Sequence, residues 1–169
     1  MIDAAELARL ARKYEALADL RRARARGEPV PAAAVFRALA REFPGCLNEL
    51  DTLPLDLIDD RARALARAAA GDPVDPWMEQ LSGYHALMRA ALRIKPRLSR
   101  AEAIDDTRAE ALARDASAHA GVVVDAAFVR AVAHPPRGRI VALVFAELSR
   151  IHGCPAADIK RALFPASRR

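Results

Sequence analysis

Residues 147–164, ELSRIHGCPAADIKRALF, raise the main structural question of this sequence, because two helical segments meet there with almost no chain between them. Gly153 can take a left-handed backbone conformation at the end of a helix without steric cost. Pro155 suits the first turn of a following helix. The stretch therefore predicts helices over 140–152 and 155–164, either as a DNA-reading helix-turn-helix or as two core helices joined by a tight turn.

The rest of the chain is also helical in its periodicity. Leu7, Leu10, Tyr14 and Leu17 recur at steps of three and four residues behind a capping Asp3, which is typical of a buried helix face. The other predicted helices begin at Pro31, at about Asp56, in DPVDPW at 72–77, at the S-R-A-E capping box of Ser99 to Glu102, and at Asp125. This pattern predicts an all-α bundle of seven to eight helices that ends in a helix-turn-helix-like pair.

Positive charge is concentrated in two parts of the chain. Residues 89–100 carry a net charge of +5 and residues 126–169 carry +6, whereas residues 1–88 carry −2 and residues 101–125 carry −4. Clustered cations attract polyanions through counterion release. The charge shift, together with the VVV connector at 122–124, predicts a helical bundle over 1–120 and a basic segment over 126–169. The segment can also belong to the same domain as the bundle.

Composition favours a cytoplasmic protein that does not cross a membrane. No apolar run approaches the ~20 residues of a membrane span. Cys46 and Cys154 lie far apart, as expected of reduced thiols. We find no phosphate-binding glycine loop and no GxSxG or HExxH motif, so the sequence predicts no enzyme activity, cofactor or metal.

One helix offers a candidate pocket for a small ligand. Trp77, Tyr84 and Met88 lie on one stripe with Leu81 and Leu92, and His85 adjoins it. Such stripes usually pack into a core, so a buried, hydrogen-bonded His85 is the structural alternative to a ligand site.

The helix-turn-helix interpretation rests on three positions with the required chemistry. Ser149 allows close crossing, Gly153 permits the turn, and Ile159 can anchor the second helix. The exposed positions of that helix would then be Ala156, Ala157, Asp158, Lys160 and Arg161.

Residues 134–164 resemble the C-terminal DNA-reading segment of extracytoplasmic-function sigma factors, over about 30 of the 169 residues. The likeness lies in HPPRGR at 134–139, in the glycine-cysteine-proline turn, and in Ile159, Lys160 and Leu163 of the final helix. It implies a promoter-contacting module. In that module Lys160, Arg161, Arg168 and Arg169 would lie toward phosphate, and Arg137 and Arg139 complete the predicted DNA-binding residues.

Three hypotheses follow from these patterns. The first is a DNA-associated, transcription-related protein with duplex DNA as its partner. The second is a non-enzymatic interaction module with a protein partner or a second copy, since the Leu7–Leu17 seam has coiled-coil spacing. The third is a bundle that binds a small ligand at Trp77, Tyr84, His85 and Met88.

Overall fold

The computed structural model of the protein describes residues 1–29, 33–98 and 103–165, and within these ranges it is all-helical. The described residues form nine α-helices and two 3-10 turns. The helices are α1 Ala4–Ala25, α2 Ala33–Glu42, α3 Cys46–Thr52, α4 Leu55–Ala69, α5 Pro76–Ile94, α6 Asp106–Ala120, α7 Ala126–Ala133, α8 Ile140–His152 and α9 Ala156–Leu163, and the 3-10 turns are Lys95–Arg97 and Pro136–Gly138. The predicted all-α bundle is therefore confirmed.

The chain divides into two compact units. The first contains residues 1–82 and 160–169, and the second contains residues 83–159. The divisions fall inside α5 and α9, so each of these helices contributes to both units. The boundary expected near residues 120–125 lies inside the second unit, where α6 and α7 pack against each other.

The first unit is built on the pairing of α1 with α4, to which α3 and α2 are added. The predicted α1 seam of Leu7, Leu10, Tyr14 and Leu17 is fully buried. Ile58 and Leu65 of α4 are buried as well. The seam that suggested self-association is thus part of the core of this unit.

The second unit contains α6, α7, α8 and the second half of α5. Gly83 lets α5 and α8 pack closely, because a Cβ added there would lie 3.0 Å from the Cδ2 atom of Leu148. The buried side of α8 is formed by Leu143, Val144, Phe145 and Leu148. In the sequence, Val141 and Ile151 recur with Val144 and Leu148 at helical spacing, which predicts that all four share one buried side. This prediction is wrong for Val141 and Ile151, which are 40% and 47% exposed.

Aspartate side chains begin three of the helices. Asp3 and Asp125 accept hydrogen bonds from the backbone amides of Glu6 and Phe128, as predicted. For α6 the cap is Asp105, which accepts from the Arg108 amide at 2.7 Å. Residues 103–105 are not helical, so the predicted helix through them is wrong.

Some sequence predictions fall on positions that the structure does not describe. The Ser99–Glu102 capping box, the Pro31 helix start and the arginines at 100, 168 and 169 lie outside the described residues.

No single helix within the described ranges is long and apolar enough to cross a membrane. Helices α8 and α9 reach the length and apolar composition of a membrane-spanning segment only when they are counted as one segment. The chain bends by 107° at the turn between them.

Candidate nucleic-acid interface

The turn between α8 and α9 has the geometry of a helix-turn-helix. Gly153 adopts the predicted left-handed conformation, with φ at 64°, and its amide donates to the Ser149 carbonyl at 2.9 Å. The Ser149 hydroxyl donates to the Cys154 carbonyl at 2.7 Å and so closes the turn. The 107° bend lies within the roughly 90–120° that characterises this motif.

Helix α9 has one buried side and one exposed side. Ile159 is 1% exposed and Leu163 is fully buried. Of the five positions predicted to face outward, four are exposed and Ala156 is half-buried; the exposed four are Ala157, Asp158, Lys160 and Arg161. Two cationic side chains, Lys160 and Arg161, therefore lie on the exposed side of α9, the helix that follows the turn.

The last turn of α9 is held within the first unit. The Arg61 guanidinium donates to the Ala162 carbonyl at 2.8 Å. Carbonyls at the end of a helix have no partner inside that helix, so Arg61 satisfies a group that would otherwise require water. The bond fixes the end of the helix that carries Lys160 and Arg161.

Arg137 and Arg139 are exposed on either side of Gly138 in the second unit. In the part of the chain that the structure describes, no ion pair joins the side chains of Arg137, Arg139 or Lys160 to an acid. Their charges are thus available to an external anion.

Other cations of the C-terminal half are already paired. Arg130 contacts Asp106, and Arg150 contacts Glu147. The net charge of +6 in residues 126–169 therefore overstates the number of free positive groups, since only part of the basic segment can bind a polyanion without breaking an internal pair.

Three arginines of the basic run over 89–100 contact α6. Arg93 and Arg97 both contact the Asp115 carboxylate, at 2.9 and 2.6 Å. The hydrogen bond from Arg93 lowers the pKa of Asp115. Arg89 donates to the Ala120 carbonyl at 3.1 Å. We conclude that these arginines join α5 to α6 within the second unit.

The predicted ligand-pocket residues are divided between the two units. Trp77 lines a cavity in the first unit, beside the Arg61 guanidinium. Tyr84, His85 and Met88 are buried in the second unit, where the Tyr84 ring packs against His85 and against Phe145. These three side chains have the environment of core residues.

A buried charged cluster in the first unit was not predicted from the sequence. It consists of Lys13, Tyr14, Glu49 and Arg61, none more than 5% exposed. The Glu49 carboxylate is paired with Lys13, accepts from the Tyr14 hydroxyl at 2.6 Å, and lies 3.8 Å from Arg61. Arg61 donates to the Tyr14 oxygen at 2.9 Å. The cluster connects α1, α3 and α4, and through Arg61 it reaches the end of α9.

The spacing of these charges contained a signal for their burial. Lys13 follows Leu10 by three residues and precedes Leu17 by four. Glu49 has the same relation to Cys46 and Leu53, and Arg61 has it to Ile58 and Leu65. Positions three and four residues from apolar neighbours lie on the same helix face, so each charge stands inside an apolar stripe.

Cys46 borders this cluster and gives it a testable dependence on pH. Burial raises the pKa of its thiol to about 11, and Lys13 acts in the opposite direction. The folded protein therefore holds a proton that the unfolded chain releases near pH 9, so this contribution to stability is lost as the pH rises from 9 to 11. Relative to Cys46→Ala, we expect the wild type to lose up to about 1.4 kcal/mol of unfolding free energy per pH unit in this window. Urea unfolding of both proteins across these pH values measures the difference, and parallel curves would contradict the prediction.

Metal-binding side chains do not cluster within the described residues. Over residues 1–29, 33–98 and 103–165, no group of three or more histidine, cysteine, aspartate or glutamate side chains could hold a metal ion. Asp115 and His119 lie four residues apart on α6, a spacing at which two side chains can share a metal, but the Asp115 carboxylate contacts two arginines.

Comparison of the chain with protein-family models, with curated proteins and with solved structures gives no match. The resemblance of residues 134–164 to a sigma-factor segment therefore stays a prediction.

Proposed function

We propose that the protein binds duplex DNA by its phosphate backbone, with α9 as the contacting helix. One observation carries this proposal: α9 buries Ile159 and Leu163 and exposes Lys160 and Arg161, directly after a turn with helix-turn-helix geometry. Exposed cations on such a helix suit the regularly spaced phosphates of a duplex.

Arg137 and Arg139 are the second pair of proposed phosphate contacts. Both are exposed, and neither is ion-paired within the described residues. Contacts to phosphate position a protein on DNA and carry no sequence information. Ala156 and Ala157 offer a base edge only methyl groups, so the proposed binding is largely independent of sequence.

A transcription-related role and a cytoplasmic location belong to the same proposal. The first is supported by the resemblance of residues 134–164 to a promoter-reading segment. The second is supported by the two cysteines, neither of which forms a disulfide bond within the described residues.

A second candidate function is a protein-interaction module, and one observation favours it. Arg61 holds the Ala162 carbonyl, and Leu163 is fully buried, so the end of α9 also has a structural role in the first unit. In that case the exposed side of α9 would be ordinary solvated surface, and duplex DNA would not bind.

The two candidates are separated by a binding measurement on the full chain. We expect Lys160→Ala/Arg161→Ala to weaken binding to a short fluorescent duplex by about tenfold at low salt, because two phosphate contacts are lost. Fluorescence anisotropy measures this affinity. The matched control is Arg12→Ala/Arg41→Ala, which removes the same charge from exposed positions on α1 and α2.

The control variant should bind the duplex nearly as well as the wild type. Equal weakening in both variants would mean that net charge alone drives binding, and no effect in either would remove α9 from the interface. If the wild type fails to bind duplex DNA at low salt, the interaction-module candidate is favoured.

A further inference from the structure

A groove of about 590 Å³ runs along the second unit. One side comes from the end of α5 and the 3-10 turn after it, and the other comes from the chain between the end of α7 and the start of α8. Its lining includes Leu92, Lys95, Leu98, Val132, Pro135 and Ile140.

The lining is apolar apart from one cation. Lys95 is its only charged residue among those described, and no carboxylate lines it there. Lys95 is exposed and has no ion pair within the described part of the chain. The Lys95 ammonium is therefore available to an anion at the edge of an apolar surface.

Two further cations stand beside this groove. Arg137 and Arg139 are the chain neighbours of Gly138, which lines it, and both are exposed. Leu92 adds a partly uncovered apolar side chain, 45% exposed. The groove thus has an apolar lining and positively charged residues next to it.

We propose that this groove binds a small amphiphilic anion, in which an alkyl chain ends in a carboxylate or a phosphate. The alkyl chain would cover Leu92 and its apolar neighbours, and the head group would pair with Lys95. The volume lies within the roughly 300–1,000 Å³ of small-molecule sites, which are typically apolar with a few polar groups that fix orientation. Charge complementarity selects an anion over a neutral or cationic amphiphile.

The residues that define this groove differ from those of the proposed DNA contact on α9. Leu92 and Lys95 belong to the second unit, whereas Lys160 and Arg161 belong to the first. Arg137 and Arg139 are common to both proposals, so the experiment leaves them unchanged. Failure of one proposal can then be distinguished from failure of the other.

The experiment is calorimetric titration of the full chain with decanoate, decyl phosphate and uncharged decanol. We expect decanoate and decyl phosphate to bind and decanol to bind more weakly. Whichever anion has the higher affinity identifies the preferred head group. Leu92→Glu places a carboxylate at the groove and should weaken anion binding at least about tenfold. Lys95→Ala should weaken it roughly two- to fivefold, as expected for an exposed ion pair, and should leave decanol unaffected.

The matched control is Val123→Glu, because Val123 is 86% exposed and lines a different groove of the same unit. It should bind all three ligands as the wild type does, and circular dichroism checks that each variant is folded. Undiminished anion binding by a folded Leu92→Glu protein would overturn the proposal. Binding of decanol equal to that of decanoate, or no binding of either anion, would overturn it as well. Because Leu92→Glu also adds a negative charge near Arg137 and Arg139, the independence of the two proposals is tested with Lys160→Ala/Arg161→Ala, which should bind decanoate and decyl phosphate as the wild type does.

Discussion

Glu49→Gln is expected to lower the free energy of unfolding by about 3–5 kcal/mol, the usual effect of removing one partner from a buried ion pair. Glutamine keeps the size of the side chain and can still accept the hydrogen bond from Tyr14. It removes the only negative charge of the cluster, however, and leaves Lys13 and Arg61 buried as two like charges. Urea unfolding at neutral pH, followed by circular dichroism, measures the loss.

Two comparison variants show whether the loss comes from charge. Glu15→Gln makes the same chemical change at an exposed position of α1 and should change stability by no more than about 0.5 kcal/mol. Lys13→Met leaves the Glu49–Arg61 pair balanced, and burial already lowers the pKa of Lys13, so it should cost far less than Glu49→Gln. If Glu49→Gln and Glu15→Gln have equal effects, Glu49 does not neutralise buried charge.

Leu163→Ala is the second change with a large expected effect. Leu163 is fully buried at the end of α9, and removing a buried leucine side chain typically costs about 2–5 kcal/mol. The matched control is Lys160→Ala, on the same helix but exposed, which should change stability by no more than about 0.5 kcal/mol. Urea unfolding of the three proteins provides the comparison.

The outcome for Leu163 bears directly on how α9 is held. A large loss is expected if the last turn is part of the folded first unit, as the Arg61 bond to Ala162 indicates. A loss no greater than that of Lys160→Ala would mean that α9 does not depend on this packing, and the structural role assigned to it would be wrong.

Local chemistry predicted the starts of α1 and α7 and the end of α8. Asp3, Asp125 and Gly153 act at short range, through a side chain that accepts a nearby amide or a backbone that turns left-handed. Four of the five outward positions of α9 were predicted for a similar reason, because Ile159 and Leu163 are its only large apolar residues before Phe164. Where a helix is amphipathic, its pattern decides which side is buried.

Features that depend on distant neighbours were harder to predict. Helix α8 is apolar around most of its circumference, so periodicity did not show that Val141 and Ile151 are exposed. The pairing of Arg93 with Asp115 joins residues 22 apart in sequence, and Tyr14 meets Glu49 across 35 residues. The spacing of the charges indicated that Glu49 could be buried, but only the packing of α1 on α3 shows what it neutralises.

The most direct test of the central claim is the salt dependence of duplex binding. Each phosphate contact contributes about −0.9 to the slope of log affinity against log salt concentration. If Lys160 and Arg161 each contact one phosphate, the slope for Lys160→Ala/Arg161→Ala should be shallower than that of the wild type by about 1.8. The slope for Arg12→Ala/Arg41→Ala should match the wild type. Identical slopes for all three proteins would contradict the assignment of α9 as the helix that contacts DNA.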